Sequence, residues 1–188
     1  MLNLPNLITL IRIALIPCFV ALLLRYRETG DEVFRWWAVA AFAAAMASDA
    51  LDGLIARMRN QKTLLGSYLD PLADKLLLLA AVVILSVHMG SLTKLPSWFP
   101  VLVISRDLLI ALWSLLVHML CGSLTPRPSA AGKCATTLQM LTVTWVLCGW
   151  PYASVFLYAA SIFTVVSGIG YIVDGLRQLH ESGTKAAT

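Results

Sequence analysis

The sequence predicts an all-α fold: a polytopic membrane helix bundle of six transmembrane helices with a short N-terminal amphipathic segment. Three observations predict it. Hydrophobic residues make up 59% of the chain and charged ones 13%, with a mean hydropathy of +0.81, whereas soluble domains carry about 25% charged residues. A soluble core of 188 residues could not hide that much apolar surface, but a bilayer can. Six apolar runs follow one another with only short polar breaks between them. The acidic residues are also clustered rather than spread, as they would be on a solvated surface. A single membrane domain over residues 1–188 is expected, with 1–8 as the opening segment and 181–188 as a short disordered tail.

The first membrane segment covers roughly 7–24, opened by Leu4-Pro5-Asn6, with proline near the first turn. The second, alanine-rich, covers roughly 34–56, and the polar stretch Arg57 to Ser67 follows it. The third covers roughly 69–89, the fourth 98–120, the fifth 134–150 and the sixth 152–176. Gly90 to Pro100 and Gly122 to Gly132 are rich in Gly, Pro and Ser and read as breaks. Basic residues orient the bundle. Arg57, Arg59, Lys62, Lys75, Arg127, Lys133, Arg177 and Lys185 fall on one side, and Arg25, Arg27, Arg35 and Lys94 on the other. Positive charge accumulates on the cytoplasmic side, which places both termini and the aspartate-bearing loop there. Cys18, Cys121, Cys134 and Cys148 form no CxxC pair and read as small apolar residues, not as a disulfide framework or zinc site.

Four of the ten acidic residues, Asp49, Asp52, Asp70 and Asp74, lie at or near the ends of apolar segments. A carboxylate there costs about 2.5–3.5 kcal/mol to insert, so it needs a reason. Asp49 and Asp52 are three apart, and Asp70 and Asp74 four apart, spacings that put each pair on one helix face. If the second and third helices are neighbours, four carboxylates converge and repel unless something neutralises them. A divalent cation does so, and oxygen-only ligands favour Mg²⁺, Mn²⁺ or Ca²⁺. The competing reading is helix capping, or pairing with Arg57, Arg59 and Lys75. Capping accounts for Asp70, which precedes Pro71 at an expected helix start. It does not account for Asp49 and Asp52, near a helix C-terminus, where the macrodipole disfavours anions. Gly53, Ala56 and Gly66 leave room beside the acids, although small residues in membrane helices also serve packing. Arg57 offers a planar fork suited to phosphate oxygens.

The run Asp49-Ala-Leu-Asp52-Gly53-Leu-Ile-Ala56-Arg57, eight residues, then Gly66-Ser-Tyr-Leu-Asp70-Pro-Leu-Ala-Asp74 resembles the signature of the CDP-alcohol phosphotransferases. All eight fixed positions of D-x2-D-G-x2-A-R-x8-G-x3-D-x3-D are filled. The resemblance extends over essentially the whole chain, since Leu4-Pro5-Asn6 with Thr9 and Arg12 is similar to the family's amphipathic first segment. It implies displacement of CMP from CDP-diacylglycerol by an alcohol hydroxyl, in a multi-pass protein of a bacterial inner membrane with its active site on the cytoplasmic face. It further implies two Mg²⁺ or Mn²⁺ ions held by Asp49, Asp52, Asp70 and Asp74, with Asp74 as the catalytic base. Asp49, Asp52, Gly53, Ala56, Arg57 and Gly66 would form the CDP site. Two ions suit the chemistry, because they neutralise developing charge and orient an in-line attack at phosphorus. Family members are often homodimers, which this sequence neither demands nor excludes, and nothing in it points to nucleic acid.

The acceptor must be chosen by residues outside the signature. Arg106-Asp107 is costly within the fourth segment and should face inward, with Arg106 pairing with an aspartate or binding an acceptor phosphate. Lys133 opens the fifth segment and either binds that phosphate or snorkels at the interface. The first segment and Gly132-Lys133…Thr136…Gln139 look like phosphatidylglycerophosphate synthases, which use glycerol 3-phosphate. Ser105-Arg106-Asp107 looks more like the CMP-forming cardiolipin synthases, which use phosphatidylglycerol. Frequency among bacteria places the first ahead; the local match favours the second. A non-enzymatic cation transporter predicts acids at mid-depth on several helices and an internal repeat, and neither is visible.

Overall fold

The computed structural model describes the backbone of residues 4–59, 64–87, 92–121 and 130–186. Side chains at 1–9, 49–71, 88–91, 114, 117, 118, 120–129 and 177–188 lie outside that description. Within it the protein is all-helical: α1 Leu4–Thr29, α2 Glu32–Arg59, α3 Leu64–Ser86, α4 Trp98–Cys121, α5 Ala130–Leu147 and α6 Ala153–Ala186. The six expected segments are thus six helices, with three differences at their ends. No break sets the opening segment 1–8 apart, because α1 runs unbroken from Leu4. A proline in the first turn forfeits no helical bond, and no glycine follows until Gly30. The expected tail at 181–188 is helical as far as Ala186, continuing α6 without a break. Finally, α3 starts at Leu64 and passes through Pro71, giving up only the bond that its nitrogen cannot donate.

The chain divides into two compact units, one of residues 1–95 and 143–151, the other of 96–142 and 152–188. In the first unit α1 packs on α2 and α3, and α2 touches α3. Each helix contributes one stripe at three- and four-residue spacing: Arg12, Phe19, Leu23 and Tyr26 from α1, Ala38, Phe42 and Ala45 from α2, and Ala73, Leu77, Ala81 and Leu85 from α3. Alanines on α2 and α3 let the larger α1 side chains approach, and Phe19 meets Phe42 with ring centroids 5.6 Å apart. The turn from α1 to α2 is set locally. Gly30, at φ 70°, closes α1 with a bond from its N–H to the Tyr26 carbonyl, and Asp31 Oδ1 accepts from the Val33 N–H to cap α2.

In the second unit α4 packs on α6. The buried stripe of α6 is Ala153, Leu157, Ala160, Thr164 and Ser167, so it turns from apolar to small and polar along the helix. Gln139 of α5, buried, donates to Thr164 Oγ1 at 2.8 Å, which satisfies both groups away from water. Further along α6, Gly175 lies against the indole of Trp113 so closely that a Cβ there would collide with Nε1.

The helices are not only apolar where they are buried. On α4, Val101, Ile104, Leu108, Leu112 and Leu115 are exposed, and on α6 so are Val155, Ile162, Val166, Ile169 and Val173. Among the described residues one stretch, Ala153–Leu176, is apolar enough by length and composition to cross a membrane, with a hydropathy of 1.9. The other helices carry charged residues within their length, among them Arg12, Asp74 and Arg106-Asp107.

Gly175→Ala is expected to destabilise the purified protein by about 1–3 kcal/mol, as overpacking does, read as a lower melting temperature. In a Trp113→Ala background the same change should cost little, which separates the clash from any helix-propensity effect.

Candidate active site

Residues 60–63 join α2 to α3, and so short a connection makes the two helices antiparallel neighbours. Asp52 stands seven residues before the end of α2 and Asp70 six after the start of α3, so both backbones lie about 10 Å from the connection. Asp49 and Asp74 are each ten residues in, about 15 Å from it. The signature therefore places its aspartates on two helices at two matched levels. Gly53, Ala56 and Arg57 on α2 and Gly66 on α3 lie between those levels and the connection. The side chains of Asp49, Asp52, Gly53, Ala56, Arg57, Gly66 and Asp70 lie outside the described residues. Because α3 begins at Leu64, Asp70 is inside a helix and not at its cap, which removes capping as its explanation.

Asp74 is described, and its partner is a residue that the sequence reading did not place in the site. Arg12 of α1, with no exposed side-chain surface, donates from Nη1 to Asp74 Oδ1 at 2.9 Å. The Asp74 carboxylate is 27% exposed, so it stands at the rim of the first unit's core, beside buried Ala73, Leu77 and Leu78. The competing partners considered for the aspartates were all near in sequence, whereas Arg12 is 62 residues away. The signal for it was present: a guanidinium inside Leu10-Ile11-Arg12-Ile13-Ala14 is costly in any apolar setting and demands an anion. Among the described residues no three His, Cys, Asp or Glu side chains gather as a metal site.

The second unit holds its own charged cluster. Arg106 pairs with Asp107 at 2.7 Å, donates from Nη2 to Ser167 Oγ at 2.7 Å, and lies over the Tyr171 ring at 5.9 Å. Only 10% of its side chain is exposed, and its Nε is buried without a hydrogen-bond partner. The pairing with an aspartate expected for Arg106 is present. Ser167 and Tyr171 were not anticipated, and only the helix-period spacing of Ser167 and Tyr171 on α6 hints at them. Lys133, in the first turn of α5, is exposed, the position expected of a snorkelling residue.

This chain belongs to the CDP-alcohol phosphatidyltransferase family, a family of membrane enzymes, whose model matches residues 2–166. The match crosses both compact units and contains all eight signature positions. It is 36% identical, over 97% of its own length and 100% of the relative's, to the CDP-diacylglycerol–glycerol-3-phosphate 3-phosphatidyltransferase of Bacillus subtilis. It is 34% identical to the enzyme of the same name from Escherichia coli, over 90% of this chain and 93% of that one. A probable phosphatidylglycerophosphate synthase of Mycobacterium tuberculosis is 34% identical over 94% of this chain and 83% of the relative.

Arg106→Met strips hydrogen bonds from a charged cluster and should lower stability by about 1.5–3 kcal/mol. Lys133→Met, at an exposed position, should stay within about 0.5 kcal/mol of the parent. Parallel thermal melts in one detergent test the contrast.

Proposed function

We propose that this chain transfers the phosphatidyl group of CDP-diacylglycerol to glycerol 3-phosphate and releases CMP, acting as a single multi-pass domain. The observation that carries the reading is the complete aspartate signature, its acids level on adjacent helices, in a chain 34–36% identical to relatives named for that reaction. Phosphatidylglycerol as acceptor is the reading favoured by Ser105-Arg106-Asp107 alone, and the relatives reported above carry other names.

The membrane setting explains features that a soluble helix bundle would not tolerate. Apolar residues cover the outward as well as the inward faces of α4 and α6, the pattern of helices surrounded by lipid. Trp36 and Trp37 stand near the start of α2, Trp98 starts α4, and Trp150 and Tyr152 precede α6; all five are exposed. Amphipathic rings at helix ends favour the headgroup layer of a bilayer. Arg57 and Arg59 stand at the other end of α2, toward the connection to α3. This charge placement supports an active site on the cytoplasmic face of the inner membrane.

Carboxylates are the donor set that hard divalent cations take. Asp49, Asp52, Asp70 and Asp74 would hold two Mg²⁺ or Mn²⁺ ions, which supply charge neutralisation to the diphosphate when bound. The chain's own residues do the rest. Gly53, Ala56 and Gly66 leave space for the nucleotide, and Arg57 offers two parallel donors to its phosphate oxygens. Asp74 takes the proton of the acceptor hydroxyl as that oxygen attacks the phosphorus bearing the diacylglycerol. The bond from this phosphorus to the bridging oxygen breaks, and CMP leaves with that oxygen. Held at the rim of the core with 27% of its surface open, Asp74 is both fixed and reachable.

Asp74→Asn should cut CMP release at least about 100-fold, the lower range for loss of a general base, with the protein still folded in detergent. Turnover should also need Mg²⁺ or Mn²⁺ and stop with chelator, and metal-independent turnover would overturn the ion-binding role. Offered glycerol 3-phosphate and phosphatidylglycerol separately, the purified enzyme should make phosphatidylglycerophosphate; cardiolipin as the product would replace the acceptor named here.

A further inference from the structure

We infer that Arg12 is a positioning residue for the reaction: it fixes the Asp74 carboxylate in its working orientation from α1, a helix outside the signature. The inference rests on the role of Asp74 given above. Three observations carry it. Arg12 has no exposed side-chain surface and reaches across from α1 to α3 to place Nη1 2.9 Å from Asp74 Oδ1. The pair joins helices that already pack together, on the same α1 stripe as Phe19, Leu23 and Tyr26, so the guanidinium is held by the core and cannot follow a moving carboxylate. The exposure is one-sided, with Arg12 sealed and Asp74 open over 27% of its surface. A bond whose buried end is rigid and whose open end bears the reacting group is built to orient that group.

A charge placed there for stability alone would be a poor solution. Removing a guanidinium from water is costly, and an apolar pair of similar size packs at least as well in such a core. Orientation is what the ion pair adds, because a carboxylate turned or shifted by about 1 Å loses about 100-fold in rate. Acting through Asp74 rather than on a substrate, Arg12 should, when lost, weaken catalysis without weakening substrate binding.

The test compares Arg12→Lys, Arg12→Met, Asp74→Asn and the double variant Arg12→Met/Asp74→Asn, each purified and assayed with CDP-diacylglycerol, glycerol 3-phosphate and Mg²⁺. Arg12→Met should lower kcat about 100-fold, with KM for both substrates within about threefold of the parent. Arg12→Lys, which keeps the charge but loses the planar fork, should recover part of that loss. In the Asp74→Asn background, adding Arg12→Met should cost no further activity, because both changes disable one group. A raised KM with kcat intact, or additive losses in the double variant, would overturn the positioning role. If Arg12→Met does not fold, the kcat and KM of Arg12→Lys decide alone by the same criterion. Asp74→Asn with full activity would instead sink the base assignment, whatever Arg12 does.

Discussion

A guanidinium without water contact must be answered by an anion, and the answer to Arg12 is Asp74 on another helix. That requirement ties α1 to α3 at the level where the signature's last aspartate stands. Around it, each helix of the first unit presents one stripe to the core, with alanines on α2 and α3 facing larger side chains from α1. The charged pair and the apolar stripes specify the same helix arrangement, which is why an expensive buried ion can be retained. The second unit follows the same rule on a smaller scale, where Arg106 is met by Asp107, Ser167 and Tyr171.

Much of this was legible in the sequence. Six helices follow from six apolar runs, because composition and period are properties of the chain itself. The aspartate signature is legible for a similar reason: its spacing is that of helix faces, and its two halves sit on consecutive helices. Pairing across distant helices is different. Arg12 and Asp74 are 62 residues apart, and no local pattern says which of the chain's anions a buried guanidinium will meet. Helix ends were also misjudged where a single residue was given too much weight. Pro71 does not start α3, which already runs from Leu64, and Glu181 does not end α6, which continues to Ala186.

The two kinds of site residue therefore differ in kind as well as in place. The residues proposed for metal and nucleotide belong to one contiguous motif. The side chains that meet Asp74 and Arg106, Arg12 in the first case and Ser167 with Tyr171 in the second, come from other helices. Acceptor choice within a family that shares one motif has to be written in residues of this second kind.

The length of α6 has a consequence of its own. At 34 residues it extends about 50 Å, well beyond a hydrocarbon layer of about 30 Å. Its apolar stretch ends at Leu176, so about 15 Å of helix stands clear of the acyl chains as a rigid stalk. A fluorophore or fusion partner attached at its end would be held beyond the apolar stretch by that length of helix.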